Sequence, residues 1–182
     1  VLDPFCGCGT TIEAAQTLGR RWIGIDITQL AVALIKHRLH VAFPNEPSPK
    51  VIGEPESLED AAKLANADPY QFQWWALGLV GARPIGQNKG ADQGIDGRLF
   101  FRDSADGDLR PVILSVKPGG VSASHVRDLR GVLDREGAEI GVLLSFEDPT
   151  GPMRKEAATA GFYQSPWGKH PRIQLLTIRE LL

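Results

Sequence analysis

No apolar run in the 182 residues is long enough to span a bilayer, and the amino terminus lacks the pattern of a signal peptide. Together these make the cytoplasm the expected location. Cysteine is scarce: Cys6 and Cys8 are the only two, and they stand two apart in a turn, where a disulfide between them would be strained. Zinc would need more ligands than this; His37 and His40 share a helical face, but no cysteine pair partners them. The thiols are therefore expected to be small, reduced turn residues. Neither sign of charge dominates, since 20 Lys and Arg meet 22 Asp and Glu for a net charge of −2. Any contact with nucleic acid must come from local patches. Internal repeats and low-complexity tracts are absent, and so is an initiator methionine.

What is present begins at once. Val1 and Leu2 read as a short strand that enters the glycine-rich turn Asp3-Pro4-Phe5-Cys6-Gly7-Cys8-Gly9-Thr10-Thr11, and a helix follows from Thr11 to Leu18. Gly7 and Gly9 let the backbone approach a ligand closely. The helix N-terminus offers unpaired N–H groups. A second strand, Trp22 to Asp26, ends in a carboxylate placed to accept from ribose hydroxyls.

The string DPFCGCGTT followed by GRRWIGIDI resembles motif I and the next acidic strand of the amino-group DNA methyltransferases, which methylate adenine N6 or cytosine N4. The resemblance implies that Asp3, Phe5, Gly7, Gly9, Thr10 and Asp26 line an S-adenosylmethionine pocket. In one class of that family the Asp/Asn-Pro-Pro-Tyr/Phe motif and the target-recognition region lie upstream of motif I. The nearest string in this sequence, Asp68-Pro69-Tyr70, lacks the second proline. Residues 1–43 are thus expected to be the tail of a longer methyltransferase, and methyl transfer is not expected from this piece alone.

Gln29 to Leu39 follows with helical spacing of Leu30, Ala33 and Leu34. Pro44, Pro47, Pro49 and Pro55 then mark residues 44–67 as a connection, with a short helix from Leu58 to Ala65 capped by Ser57 and Asp60. A new unit is expected over 68–182. Asp68 caps a helix from Pro69 to Val80 whose buried face is Phe72, Trp75, Ala76 and Leu79. Ala82 to Ile85, Ile95 to Phe101 and Pro111 to Lys117 read as strands. Ser124 caps a helix to Glu136 with Val126, Leu129, Val132 and Leu133 inward. Glu139 to Ser145 reads as a buried strand, Pro152 to Ala160 as a helix closed by Gly161, and Ile173 to Leu176 as a last strand before a helix capped by Thr177.

The order α-β-β-β-α-β, with its polar residues, resembles the PD-(D/E)XK nuclease fold and the Mrr-type restriction endonucleases. Three strings carry the match: Tyr70-Gln71-Phe72-Gln73, Gly90-Ala91-Asp92-Gln93-Gly94-Ile95-Asp96-Gly97, and Ser115-Val116-Lys117. Pairing Phe101 with Val112 puts Asp96 opposite Lys117, with Ser115 on the same face. One hairpin end then gathers Asp96, Ser115 and Lys117, with Asp92 just upstream. Asp96 and Asp92 are the candidate Mg²⁺ ligands, and Asp96, Lys117, Ser115 and Gln73 the candidate catalytic set. The bland reading makes the glycine segment a turn and Lys117 a solvated strand end.

Two departures weaken the match. Ser115 stands where the family has Glu, Asp or Gln, and Gln73 where it usually has Glu. The expected architecture is α/β: a Rossmann-like βαβα fragment, then a restriction-endonuclease-like αβββαβ domain with a mixed sheet. The implied function is a metal-dependent endonuclease acting on double-stranded DNA, fused to a DNA methyltransferase. The alternatives are a catalytically silent DNA-binding module and an interaction domain without DNA affinity. Arg127 and Arg130 share a helical face and, with His125, Arg154 and Lys155, either contact phosphates or form a solvated surface. Trp75 fits the core, and the adjacent Trp74 points elsewhere, to the methyltransferase part or to a base.

Overall fold

The computed structural model describes residues 1–85, 94–104 and 107–182. The chain opens with β1 (Leu2–Asp3), α1 (Thr10–Thr17), β2 (Ile23–Gly24) and α2 (Gln29–Ala42). The two strands pair in parallel, Leu2 with Ile23 and Asp3 with Gly24. β2 is shorter than its sequence span suggests, although Ile25 N–H still donates to the Asp3 carbonyl at 2.8 Å. α2 runs a turn past Leu39, because no helix breaker intervenes before Pro44; Thr28 caps it by accepting from Ala31 N–H. Cys6, Ile12, Ile35 and Leu39 close a small core of their own against Trp22 and Phe43.

After the proline-rich connection come α3 (Leu58–Ala67) and α4 (Pro69–Leu79). Ser57 Oγ accepts from Asp60 N–H and donates to the Asp60 carboxylate. Asp68 ends α3 and starts α4, its carboxylate accepting from Tyr70 and Gln71 N–H. Ala61 and Ala65 of α3 lie in the same core as Phe72, Trp75, Ala76 and Leu77 of α4.

The remaining elements are β3 (Arg83–Pro84), β4 (Gly97–Phe101), β5 (Arg110–Lys117), α5 (Ala123–Glu136), β6 (Ile140–Ser145), α6 (Gly151–Thr159), β7 (Phe162–Ser165), β8 (Gly168–Pro171), β9 (Ile173–Thr177) and α7 (Ile178–Leu181). Five of these strands form one mixed sheet in the order β3-β4-β5-β6-β9. β3, β4 and β5 are antiparallel, whereas β5, β6 and β9 are parallel. Side chains alternate across β5. Leu114 and Val116 enter the core under α3, α4 and α7, while Ile113 enters the core under α5 and α6 with Val126, Leu129 and Leu133. Ser115 and Lys117 share the parity of Ile113 and so lie on the α5/α6 side.

Three expectations are corrected. The β4–β5 register pairs Phe101 with Arg110 and Gly97 with Leu114, two residues from the Phe101–Val112 pairing. The turn absorbs two residues fewer than that pairing assumed. A slip of two preserves the face, so the grouping survives while the partners change. The cap of α5 is Ser122, with extended backbone (φ −148°), and not Ser124, which lies inside the first turn. His125 closes this cap by accepting from Ser122 N–H. Finally, a ribbon absent from the sequence reading, β7–β8, is inserted between α6 and β9.

Candidate active site

β5 is the strand where the antiparallel half of the sheet meets the parallel half, and its C-terminal end is Ser115-Val116-Lys117. Asp96 immediately precedes β4 and extends the ladder by donating its N–H to the Leu114 carbonyl at 2.9 Å. That bond brings Asp96 to the end of β5, beside Leu114 to Val116. Its Oδ2 accepts from Ser115 Oγ at 3.1 Å and from Val116 N–H at 2.6 Å, and Lys117 Nζ stands 4.0 Å away. Ser115 is 4% exposed, whereas the side chains of Lys117 and Asp96 keep 32% and 19% of their surface in solvent. The result is a carboxylate held by the fold, with a partly exposed cation beside it and access from outside.

Of the other residues in the sequence-derived set, Asp92 lies outside the described residues. Gln73 sits half-buried on α4, and no hydrogen bond joins it to Asp96, Ser115 or Lys117. Among the described residues, no three His, Cys, Asp or Glu side chains cluster as metal ligands. The oxygen donors at the site are therefore Asp96 and the Ser115 hydroxyl. Asp96 Oδ1 is the more available, since Oδ2 already takes two donors. Hard oxygens suit Mg²⁺ in kind, though one carboxylate is a sparse set. Sequence reasoning missed the Val116 backbone N–H, which fixes the carboxylate; a backbone donor leaves no side-chain signal. It also missed Ser145, which pairs with Lys117 across β5 and β6 and is 2% exposed, because a buried strand pattern hides a small hydroxyl.

The glycine turn forms the second constellation. Gly7 and Gly9 both adopt left-handed backbone, φ +46° and +81°. A Cβ on Gly9 would lie 2.6 Å from Ile35 Cγ1, so this glycine also permits α1 and α2 to close. Asp3 accepts from Phe5 N–H at 3.2 Å, and Asp26 reaches across to accept from Gly7 N–H at 2.9 Å. Asp26 further accepts from the N–H and hydroxyl of Thr28, both at 3.0 Å. These donors, the Thr28 N–H first, hold the Asp26 carboxyl below the ordinary aspartate range. Thr10 opens α1, its hydroxyl 3.4 Å from Cys8 Sγ, and Phe5 is 89% exposed. Arg38, not foreseen from sequence, braces the turn by donating to the Cys8 carbonyl and pairing with Glu13. Cys6 and Cys8 are both free.

The two halves meet where Gln71 of α4 accepts from Gln29 N–H at 3.0 Å. A cleft of about 720 Å³ opens beside this seam, lined by His37, His40, Trp75, Arg83 and Phe100 among others. On the α5/α6 surface, Arg127 pairs with Glu156 and Arg130 donates to Thr159, while Lys155 stays exposed. Trp75 is buried and Trp74 half-buried.

Comparison with known proteins matches two stretches of the chain. A family model described as DNA methylase matches residues 1–37, and one described as restriction endonuclease matches residues 64–182. The type II methyltransferase M.EcaI of Enterobacter cloacae is 46% identical over 41 residues, which is 22% of this chain and 9% of that protein. The type II methyltransferase M.HinfI of Haemophilus influenzae is 47% identical over 45 residues, 25% of this chain and 12% of that protein. The chain thus spans a small share of the curated relatives that it matches.

Proposed function

The chain belongs to the Mrr-type restriction endonuclease family and carries a DNA methylase segment ahead of that domain, and from this premise we propose that residues 68–182 hydrolyse DNA phosphodiesters with a divalent metal. The observation that carries the proposal is the Asp96–Ser115–Lys117 group at the end of β5, within the family-matched region. Asp96 and the Ser115 hydroxyl would hold the metal, Asp92 being the further candidate. Bound there, a dication supplies a lowered pKa for attacking water and charge neutralisation at the phosphoryl oxygens. Lys117 keeps its cation beside Asp96 and partly in solvent, where it can orient water and meet the negative charge that develops on the phosphate. Val116 N–H and Ser115 keep the carboxylate from rotating away. Water would add to phosphorus and give up a proton to solvent as the bond to the leaving deoxyribose oxygen breaks, that oxygen taking up a proton in turn.

Residues 1–43 form, on the same proposal, half of an S-adenosylmethionine site, with Asp3, Phe5, Gly7, Gly9, Thr10 and Asp26 facing the cofactor. Residues 44–67 connect the two units. The partner is double-stranded DNA. Among the described residues no helix is long and apolar enough to cross a membrane, and a cytoplasmic location accords with a DNA substrate.

A second reading is favoured by one contact. The Ser115 hydroxyl and the Val116 N–H already occupy Asp96 Oδ2 and leave a metal only Oδ1 of that carboxylate, so the domain would be a DNA-binding module that is catalytically silent. Plasmid cleavage in Mg²⁺ or Mn²⁺ beside a duplex-binding titration separates the two. The endonuclease is expected to nick plasmid, and Asp96→Ala or Lys117→Ala to lower the rate by about 10²-fold or more. Duplex binding without cleavage supports the silent module, and unchanged cleavage in Asp96→Ala places the chemistry elsewhere.

A further inference from the structure

The β7–β8 ribbon is absent from the sequence reading and unused by the chemistry above. Its root is firmly held. Tyr163 is buried, its hydroxyl donates to Asp103, its ring lies edge-on to Phe101 at 5.7 Å, and the Arg110 guanidinium stands 5.6 Å from its centroid. Arg172, just past the ribbon, donates to the carbonyls of Ala138 and Glu139. Its tip is built as carefully. Ser165 is 7% exposed; its Oγ accepts from Trp167 N–H, donates to the Gly168 carbonyl and lies beside His170 Nε2, each at 3.1 Å.

This well-ordered turn presents an indole to water, Trp167 being 73% exposed. Phe162, Gln164 and Lys169 share the outward face of the ribbon, with Phe162 64% exposed. A large aromatic surface held in solvent by a hydrogen-bonded turn gains nothing for the isolated fold. The segment from Phe162 to Pro171 contains Lys169 and His170 and no Asp or Glu, in a chain whose net charge is −2. Aromatics beside a cation on a two-stranded ribbon match the duplex, since the major groove admits a ribbon and offers thymine methyl groups to apolar side chains, and the backbone offers phosphates to cations.

We propose that the β7–β8 ribbon is a DNA-contacting arm, with Trp167 in apolar contact with base edges in the major groove and Lys169 meeting a phosphate. The proposal rests on DNA being the substrate of the domain. The root lies at Arg110, seven residues along β5 from Lys117, so about 23 Å separates the root of the arm from Lys117. That is about seven base pairs at 3.4 Å each. The arm therefore serves affinity and leaves the chemical step alone.

Fluorescence anisotropy of a labelled duplex in EDTA tests it. Wild type is expected to bind, Trp167→Ala to lose about tenfold in affinity, and Trp167→Phe to keep most of it, because the apolar contact survives. Lys169→Ala should lower the slope of log affinity against log salt by about one. Plasmid cleavage should show the loss from Trp167→Ala in KM and not in kcat. Unchanged affinity in Trp167→Ala, or an unchanged salt slope in Lys169→Ala, overturns the arm while leaving DNA as the substrate. Absence of duplex binding by wild type overturns both. Self-association in sedimentation that Trp167→Ala abolishes, with duplex affinity intact, assigns the tip to a protein contact and overturns the proposal.

Discussion

The Ser115 hydroxyl donates to the Asp96 carboxylate at 3.1 Å and so joins the end of β5 to the residue that precedes β4. In a metal-dependent nuclease the side chain at this place would serve the metal; here it serves the neighbouring ligand. Whether the domain cuts DNA turns on how readily that hydrogen bond yields to a cation. A neutral hydroxyl competes weakly with a hard dication, but it also contributes little to holding one.

Ser115→Glu is therefore the informative variant. Its carboxylate would enter a position 4% exposed, facing Asp96. Two carboxylates this close repel without a cation, so the melting temperature should drop in EDTA and recover in Mg²⁺ more than wild type does. Cleavage should rise about tenfold, two anionic ligands being better than one for a hard ion. Ser115→Gln offers only a carbonyl and should gain less. If neither variant nicks plasmid and both bind duplex as wild type does, the silent module is the better account.

Residues 1–43 should bind S-adenosylmethionine weakly at best. Phe5 is 89% exposed and encloses nothing, and the Asp26 carboxylate is already occupied by Gly7 and Thr28. Calorimetry of this chain should give no micromolar isotherm. A micromolar one would mean that the turn and Asp26 suffice as a site.

Stability on the acid side should depend on Asp103. The Tyr163 hydroxyl, and then Arg110, hold its carboxyl below the usual aspartate value. Its contribution is full above the unfolded pKa of about 3.9 and is lost as pH falls through the lowered native value. Thermal melts of wild type and Asp103→Asn should thus differ at neutral pH and converge as pH falls below the unfolded value of about 3.9 and through the lowered native one. A gap that stays constant down to pH 2 would show that the Asp103 charge plays no part.

Gly97→Ala should destabilise the domain and impair cleavage together. A Cβ there would lie 2.6 Å from Leu77 Cδ2 and 3.2 Å from the Arg83 carbonyl, and a backbone oxygen cannot step aside. The cost is about 1–3 kcal/mol, readable as a shifted urea midpoint with an unchanged slope. Gly97 adjoins Asp96, so the same strain displaces the ligand. Wild-type stability in this variant would mean that α4 is free to move off the sheet.

Local chemistry was legible in the sequence wherever one residue dictates its own neighbourhood. Glycines needing left-handed backbone, the caps Ser57, Asp68 and Thr177, and the inward side of α5 all follow from short-range sterics and periodicity. The side on which Asp96, Ser115 and Lys117 meet was legible too, because alternation along a strand obeys parity. Which residue stands opposite which was not, since register depends on how many residues the turn at 102–109 absorbs, and turn chemistry alone does not count them. The β7–β8 ribbon escaped for a related reason. Its strands are four residues each, carry little hydrophobic pattern and are held by distant partners, Asp103 and Arg110, that come near only when the sheet is assembled. The Asp96 carboxylate owes its orientation to Val116 N–H, a backbone group common to nearly every residue. Only long-range packing singles that one out.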